Sequence, residues 1–170
     1  MYRNLIKAIL VLPGTVLVLI PALIVVASVA VGLPTHVAFP DQVRFWIALL
    51  AAGIGLLLGG WSVALFVKLG KGTPAPWEPP RQLVIRGPYR HVRNPMITGA
   101  LLVLLAEAVW LGSWPIAGWM LVFLVGNAVY FPLVEEKGLE KRFGRAYREY
   151  KARVPRWVPR LSPWKQSGDR

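Results

Sequence analysis

Apolar residues run through this chain in four blocks separated by polar breaks. They extend from about Leu5 to Val31, Val43 to Val67, Pro95 to Leu111 and Pro115 to Val134. Blocks of this length and character read as helices crossing a bilayer. The third is the shortest, about 25 Å at 1.5 Å per residue, a thin crossing. Gly112-Ser113-Trp114 makes a tight turn, so the third and fourth spans form a helical hairpin. Pro13 and Pro21 predict kinks in the first span, tolerated where neighbouring groups satisfy the freed carbonyls. That block is too long for a cleavable signal peptide, and no polar cleavage region follows it. The pattern predicts an all-α integral membrane protein, a single domain over residues 1–170. It has about four transmembrane helices, a polar loop over 68–94, and a C-terminal interfacial helix and tail over 135–170.

Composition agrees with the pattern. Of 170 residues, 55% are hydrophobic, and the mean hydropathy is +0.50, too apolar for an ordinary soluble domain. Cysteine is absent, which excludes disulfides and thiolate metal sites. His36 and His91 are the two imidazoles, so no protein-built metal centre is expected.

Charge gives the orientation. Arg3 and Lys7 precede the first span, and Arg44 alone lies between the first and second. Lys68, Lys71, Arg81, Arg86, Arg90 and Arg93 fill the next loop, the hairpin turn has none, and the remaining cations follow Val134. The positive-inside rule then puts both termini and the 68–94 loop in the cytoplasm. The net charge of +12 reads as a topology signal and an attraction for anionic lipid headgroups. It does not read as nucleic-acid binding, because the basic residues flank membrane helices.

Within the spans, packing explains most of what stands out. Gly53-Ile54-Gly55 has no preceding strand and Leu58 where a dinucleotide fingerprint needs glycine. Ala51, Gly55 and Gly59 recur every fourth residue, a small-residue stripe for close helix packing. Trp46, Trp61, Trp110, Trp114 and Trp119 read as interfacial anchors or packing groups. Glu107 lies near Trp110 and the outer turn and reads as interfacial or packing; Asn127 can hydrogen-bond between helices.

The polar segments carry the chemistry. Prolines recur through Lys71–Pro80 and forbid a helix, leaving an extended strap. Leu83-Val84-Ile85 offers an apolar contact, Gly87-Pro88 turns the chain, and Asn94-Pro95 opens the third span, with Asn94 able to cap it. Local physics alone reads Asn94 as a cap and Arg90 and Arg93 as anchors facing lipid phosphates. Past the fourth span, Glu135 and Glu136 sit where the helix dipole disfavours negative charge unless the helix continues. It is expected to continue to about Arg153. Leu139, Phe143, Tyr147, Tyr150 and Val154 form one apolar stripe along it, with Lys141, Arg145, Arg148 and Lys151 elsewhere around the axis. Glu136 and Glu140 are like charges at i,i+4, so ordinary helix pairing does not explain the acidic pair. A cationic ligand near Glu135 or Glu136 explains it better.

These residues carry a family resemblance. Leu83-Val84, Gly87-Pro88-Tyr89, Arg93-Asn94-Pro95-Met96 and Gly99, followed by Glu135-Glu136, Leu139, Phe143-Gly144, Tyr147, Tyr150 and Val154-Pro155-Arg156, resemble the isoprenylcysteine carboxyl methyltransferase family. That family is related to membrane phospholipid methyltransferases, and the resemblance covers about residues 81–160. It implies a methyltransferase using S-adenosyl-L-methionine, bound at the cytosolic ends of the last two spans. Gln82, Leu83, Val84 and Tyr89 would line the cofactor's entry loop; Asn94, Pro95, Met96 and Ile97 would hold its polar parts; Glu135 would bind it from the opposite helix. The chain departs from the family pattern in having Asn94 for its usual His, Ile97 for its usual Tyr, and Phe131 where eukaryotic members place an Arg.

The implied partners are membrane lipids and a lipidic small-molecule or prenylated acceptor. Methyl transfer from a sulfonium is an in-line displacement that needs alignment more than acid–base machinery. A carboxylate acceptor needs no base, whereas an amine acceptor does, and Glu136 is the nearby candidate; Arg142 is a candidate for holding an anionic acceptor. Two other readings stay open. One is a membrane reductase using NADPH, since sterol reductases have a similar C-terminal half; the other is a non-catalytic lipid-binding or assembly protein. The tail from Trp157 to Trp164 reads as an interfacial anchor with a secondary role in closing over the site.

Overall fold

Helices account for the regular structure in the computed structural model, which describes residues 11–70 and 82–164. The start of the first span, the proline-rich strap with Arg81, and the last six residues lie outside the described residues. Helix α1 spans Val11–Ala30 and α2 spans Val43–Gly70. A single 3₁₀ turn, Gly87–Arg90, precedes α3 at Pro95–Leu111. Helix α4, Trp114–Tyr130, passes through a widened π turn at Phe131–Glu135 into α5, Glu136–Arg153. No strand occurs among the described residues. α1, α2 and the run beginning with α4 are each long and apolar enough to cross a membrane, and α3 is a shorter apolar helix. This is the all-α integral membrane protein the hydropathy pattern predicts.

Helices α2 and α3 pack antiparallel, with their backbones in contact. A Cβ added to Gly55 would stand 2.7 Å from the Gly99 carbonyl oxygen, and one added to Gly99 would stand 2.7 Å from that of Gly55. Ala48, Ala51 and Ala106 continue the seam as a small buried cluster. The small-residue stripe thus does what its spacing predicts, with Gly99 supplying the other half.

The antiparallel order puts the chain's polar segments at two ends. At one end the α1–α2 connection pairs with the α3–α4 turn. His36 N–H donates to the Leu111 carbonyl (2.9 Å) and Ala38 N–H to that of Trp110 (2.7 Å). The Trp110 indole returns a bond to the Ala38 carbonyl (3.2 Å). Gly112 turns the chain at φ 57°, and Ser113 caps α4 by accepting from the Ile116 N–H (3.4 Å). At the other end lie the close of α2, residues 82–94, the π turn, α5 and the tail.

Three local expectations change. Asn127 bonds within its own helix among the described residues: its amide donates to the Phe123 carbonyl one turn back (2.7 Å). α5 continues to Arg153, but Gly144 takes φ 53° and ψ −124°, so two helical pieces meet at a kink. The apolar stripe of α5 faces protein rather than a lipid surface, because Tyr147, Tyr150 and Val154 are buried together with Ile85. Leu83, Leu139, Phe143 and Trp164 pack around them.

Candidate functional site

The site is built from the turn before α3 and the π turn after α4. Gly87 adopts φ 55°, and a Cβ there would meet the Trp61 ring at 2.9 Å, so only glycine lets the turn lie against α2. Pro88 fixes the next φ, and its carbonyl accepts the N–H groups of His91 and Val92 at 3.0 Å each. Tyr89 is thereby turned inward and buried. Its ring lies 5.8 Å from that of Phe66 at the end of α2. Burial raises the Tyr89 pKa, which a hydrogen bond with buried Ser62 partly offsets and the nearby Glu135 charge reinforces.

Asn94 occupies the N-cap position of α3, but its side chain makes no capping bond. The cap expected from sequence is therefore missing. The Asn94 carbonyl accepts from the Thr98 N–H (3.0 Å) and the Thr98 hydroxyl (3.1 Å). Its side-chain Nδ2 is a buried donor with no partner among the described residues. Pro95 begins α3 as predicted and is buried; Met96 and Ile97 are half-buried in the first turn. Gln82 is exposed and Val84 buried, while Leu83 packs against the α5 stripe.

Across from this turn, Pro132 lacks the N–H that a regular helix would use, and the chain widens. The Glu136 N–H reaches the Phe131 carbonyl five residues back. The extra residue per turn sets Glu135 and Glu136 in different surroundings just past the apolar segment. The Glu136 side chain is only 3% exposed and meets three cations. Arg93 Nη1 lies 2.8 Å from its Oε1, Arg156 Nη2 lies 2.7 Å from the same oxygen, and Lys151 Nζ lies 2.9 Å from Oε2. Burial alone would raise the Glu136 pKa, but the Lys151 hydrogen bond and the Arg93 and Arg156 charges outweigh it, leaving the carboxyl below its ordinary value. Glu140 shares Lys151 at 2.8 Å. The cations that the acidic pair calls for are therefore, at Glu136, the chain's own.

Glu135 is different. It makes no ion pair among the described residues. Burial, with the neighbouring Glu136 charge, pushes its pKa up to about 7. Two adjacent carboxylates are thus driven apart, one held ionised and one poised near neutrality.

The tail folds back over the turn. Arg93 N–H donates to the Pro155 carbonyl (2.9 Å), Arg160 N–H to that of His91 (3.0 Å) and Trp164 N–H to that of Arg90 (3.0 Å). His91 Nδ1 lies 2.8 Å from the Arg160 carbonyl. The Trp157 ring meets Phe131 edge-on at 5.9 Å, and Trp164 lies 5.8 Å from Tyr150. The tail tryptophans thus pack on the protein. Arg93 is turned into the protein towards Glu136, not outward to lipid phosphates as a local reading has it.

Tyr89, Asn94, Glu135 and Glu136 therefore gather at one end of the bundle, whereas Arg142 stands at an exposed position of α5. Sequence reasoning missed Arg93, Arg156 and Lys151 as the partners of Glu136, and Ser62 as the partner of Tyr89. The signal for the first set was available: an acidic pair without i,i+4 partners inside a strongly basic segment.

A helical membrane protein with a half-buried carboxylate facing a turn at one end of its bundle is the class these features define. The sequence profile of the phospholipid methyltransferase family matches residues 43–146, and the chain belongs to that family. It is 36% identical over 85 residues to methanethiol S-methyltransferase 2 of Bradyrhizobium diazoefficiens, a stretch covering 48% of this chain and 30% of that protein. It is 37% identical over 65 residues to an uncharacterized protein of Haemophilus influenzae, covering 37% of this chain and 100% of that one. The chain thus matches less than a third of the length of the Bradyrhizobium enzyme. The chain is thus a helical membrane member of that family.

Proposed function

We propose that the methyl donor is S-adenosyl-L-methionine and that it binds between the Tyr89–Ile97 turn and Glu135, with a membrane-dissolved acceptor arriving from the bilayer side. The observation that carries this reading is the pairing of a buried donor, Asn94 Nδ2, with a half-buried carboxylate, Glu135, neither of which has a partner of its own among the described residues. A cofactor bearing acceptor groups and positive charge fits both. Buried polar groups of native proteins find partners, so an orphaned donor beside an uncompensated carboxylate points to a ligand. Bound there, S-adenosyl-L-methionine supplies a methyl group activated on a sulfonium.

The chain's own residues then have distinct tasks. Glu135 offsets the cofactor's positive charge, Asn94 donates to one of its acceptors, and the Tyr89 ring offers a cation–π face. Gln82, Leu83 and Val84 lie along the approach, and Pro95, Met96 and Ile97 close the floor. Orientation is the main requirement of an in-line transfer, and residues held by packed helix ends supply it. Glu136, stabilised as an anion by three cations, is a poor proton acceptor. A thiol or amine acceptor would lose its proton to Glu135 or to solvent.

For the acceptor we favour a lipidic or prenylated molecule, since the site lies where apolar helices meet polar segments. The Bradyrhizobium relative is named for a small thiol, methanethiol, and this supports a second reading in which a thiol partitioned into the bilayer is methylated. The positive-inside rule, applied to the basic 82–94 segment and tail, supports a site on the cytoplasmic side.

Calorimetric titration of the detergent-purified protein with S-adenosylhomocysteine tests the cofactor assignment, with NADPH and Glu135→Ala as controls. Saturable binding that the variant loses is expected. Binding of NADPH instead would move the chain to the reductase reading; folded protein that binds neither would leave the non-catalytic one. With binding in hand, transfer of labelled methyl groups to extracted lipids, prenylcysteine and short thiols separates the acceptors.

A further inference from the structure

Glu135 and Glu136 are neighbours in sequence, yet among the described residues the cations pair with Glu136 and none pairs with Glu135. Glu136 is buried by an ion-pair cluster that draws on three separate parts of the chain. Arg93 comes from the turn before α3, Lys151 from the end of α5, and Arg156 from the tail. Arg93 immediately precedes Asn94, and Glu136 immediately follows Glu135. The 2.8 Å bridge between Arg93 and Glu136 therefore fixes how far apart Asn94 and Glu135 stand. The Asn94 side chain makes no capping bond, and the local bonds at the start of α3, from Thr98 to the Asn94 carbonyl, do not reach Glu135.

Arg156 extends the cluster to the tail. It bonds Glu136 Oε1 through Nε at 2.8 Å and through Nη2 at 2.7 Å, and it is flanked by two further ties. On one side the Pro155 carbonyl accepts from the Arg93 N–H; on the other Trp157 meets Phe131, the first residue of the π turn that sets Glu135. The His91 and Arg90 carbonyls hold the tail further along. Loss of the carboxylate is strongly destabilising, because the buried Arg93 guanidinium and its two neighbouring cations then face one another without a counter-charge.

We propose that Glu136 is a positioning residue: its ion pairs with Arg93, Arg156 and Lys151 lock the Val154–Trp164 segment across the Arg90–Asn94 turn, and the cofactor binds tightly only while this lock is closed. Glu136 itself does not touch the cofactor. This rests on the reading that Asn94 and Glu135 hold the cofactor. It differs from a general-base role in what it predicts: loss of Glu136 acts on cofactor affinity, and a tail residue remote in sequence from Glu135 has the same effect.

The test uses the full chain in detergent, with backbone hydrogen exchange of residues 154–164 and titration with S-adenosylhomocysteine read side by side. Glu136→Gln is expected to speed exchange at Arg160 and Trp164 and to weaken binding on the order of tenfold, the size of a typical coupling between linked sites. Arg156→Ala should reproduce both effects, and Arg156→Lys should recover part of each. If Glu136→Gln does not fold, Arg156→Ala, which leaves Arg93 and Lys151 on Glu136, carries the test alone. Unchanged exchange, or faster exchange with unchanged affinity, overturns the proposal. So does a turnover defect with wild-type affinity, which is the signature of a base. Wild-type protein that binds no S-adenosylhomocysteine overturns the cofactor reading and the coupling together, while the exchange arm still reports whether the lock exists.

Discussion

The Tyr150 hydroxyl donates a 2.7 Å hydrogen bond to the Tyr89 carbonyl, joining the second half of α5 to the turn before α3 across 61 residues. Both residues are buried. Burial raises the Tyr150 pKa well above that of a free phenol, neighbouring Tyr89 and Tyr147 add to the rise and the Arg93 charge partly offsets it, so the hydroxyl stays protonated as a donor. Tyr150→Phe keeps the ring against Tyr147 and Trp164 but leaves the Tyr89 carbonyl unsatisfied. A loss of about 1–2 kcal/mol in stability is expected. Thermal unfolding in detergent measures it, and a melting temperature equal to wild type would show that the bond contributes nothing.

Glu135 gives a pH dependence whose sign follows from its raised pKa. In the free protein its carboxyl is neutral well below pH 7 and ionised well above, with the midpoint at about 7. Because the folded pKa is raised, its contribution to stability is full below the ordinary carboxyl range and declines as pH rises through 7. A cationic cofactor reverses the preference, since it binds the ionised form. Affinity for S-adenosylmethionine should therefore rise about tenfold between pH 6 and pH 8 as the ionised fraction grows. Glu135→Gln should bind weakly with no such trend. Equilibrium binding of the radiolabelled cofactor across that range decides it; a flat wild-type profile would remove Glu135 from the cofactor's charge.

Much of this arrangement is legible in the sequence, and the gaps have physical causes. Period and hydropathy mark the helices, the stripe at Ala51, Gly55 and Gly59, and the apolar face from Leu139 to Val154, because each reflects repeated local geometry. What separates Glu135 from Glu136 is not local. Three cations converge on one of them from 43 residues before and from 15 and 20 residues after, and adjacent identical residues carry no mark of that. Asn94 is a cap by residue type, yet whether its buried amide makes the capping bond is decided by tertiary packing. The π turn did have a signal, since Pro132 interrupts an otherwise continuous helical pattern.

Gly144 illustrates a break that periodicity hides. Phe143 and Tyr147 keep i,i+4 spacing across it, so the stripe reads as one helix although the backbone there has φ 53° and ψ −124°. An L-residue in that region is strained by roughly 1–3 kcal/mol. Space is not the constraint, because nothing lies within 4 Å of an added Cβ. Gly144→Ala should therefore destabilise the packing of Tyr147 and Tyr150, whereas Gly138→Ala, also in open space but without positive φ, should not. Near-ultraviolet dichroism and melting of the two variants compare them directly. Equal behaviour would mean that the kink is not required.

The contact between α2 and α3 sets the distance on which the rest depends, because α3 carries Asn94 at its start and α2 carries Ser62 and Phe66 beside Tyr89. At Gly55 and Gly99 each backbone occupies the space a side chain would need: an added Cβ meets the opposite carbonyl oxygen at 2.7 Å in both directions. The obstacle is backbone, so a rotamer change cannot relieve it and the helices must separate. Gly55→Ala and Gly99→Ala should each cost about 1–3 kcal/mol, the usual range for overpacking, and Gly55→Val more. Gly53 has nothing within 4 Å of an added Cβ. Gly53→Ala is thus a matched control on the same helix, where gained helix propensity should leave stability equal or slightly higher. Separation of the helices should also lower S-adenosylhomocysteine affinity in the Gly99 variant, since α3 shifts relative to Tyr89. Melting and titration of the four variants read both consequences, and a Gly99→Ala protein as stable as Gly53→Ala would show that the bundle does not need this close approach.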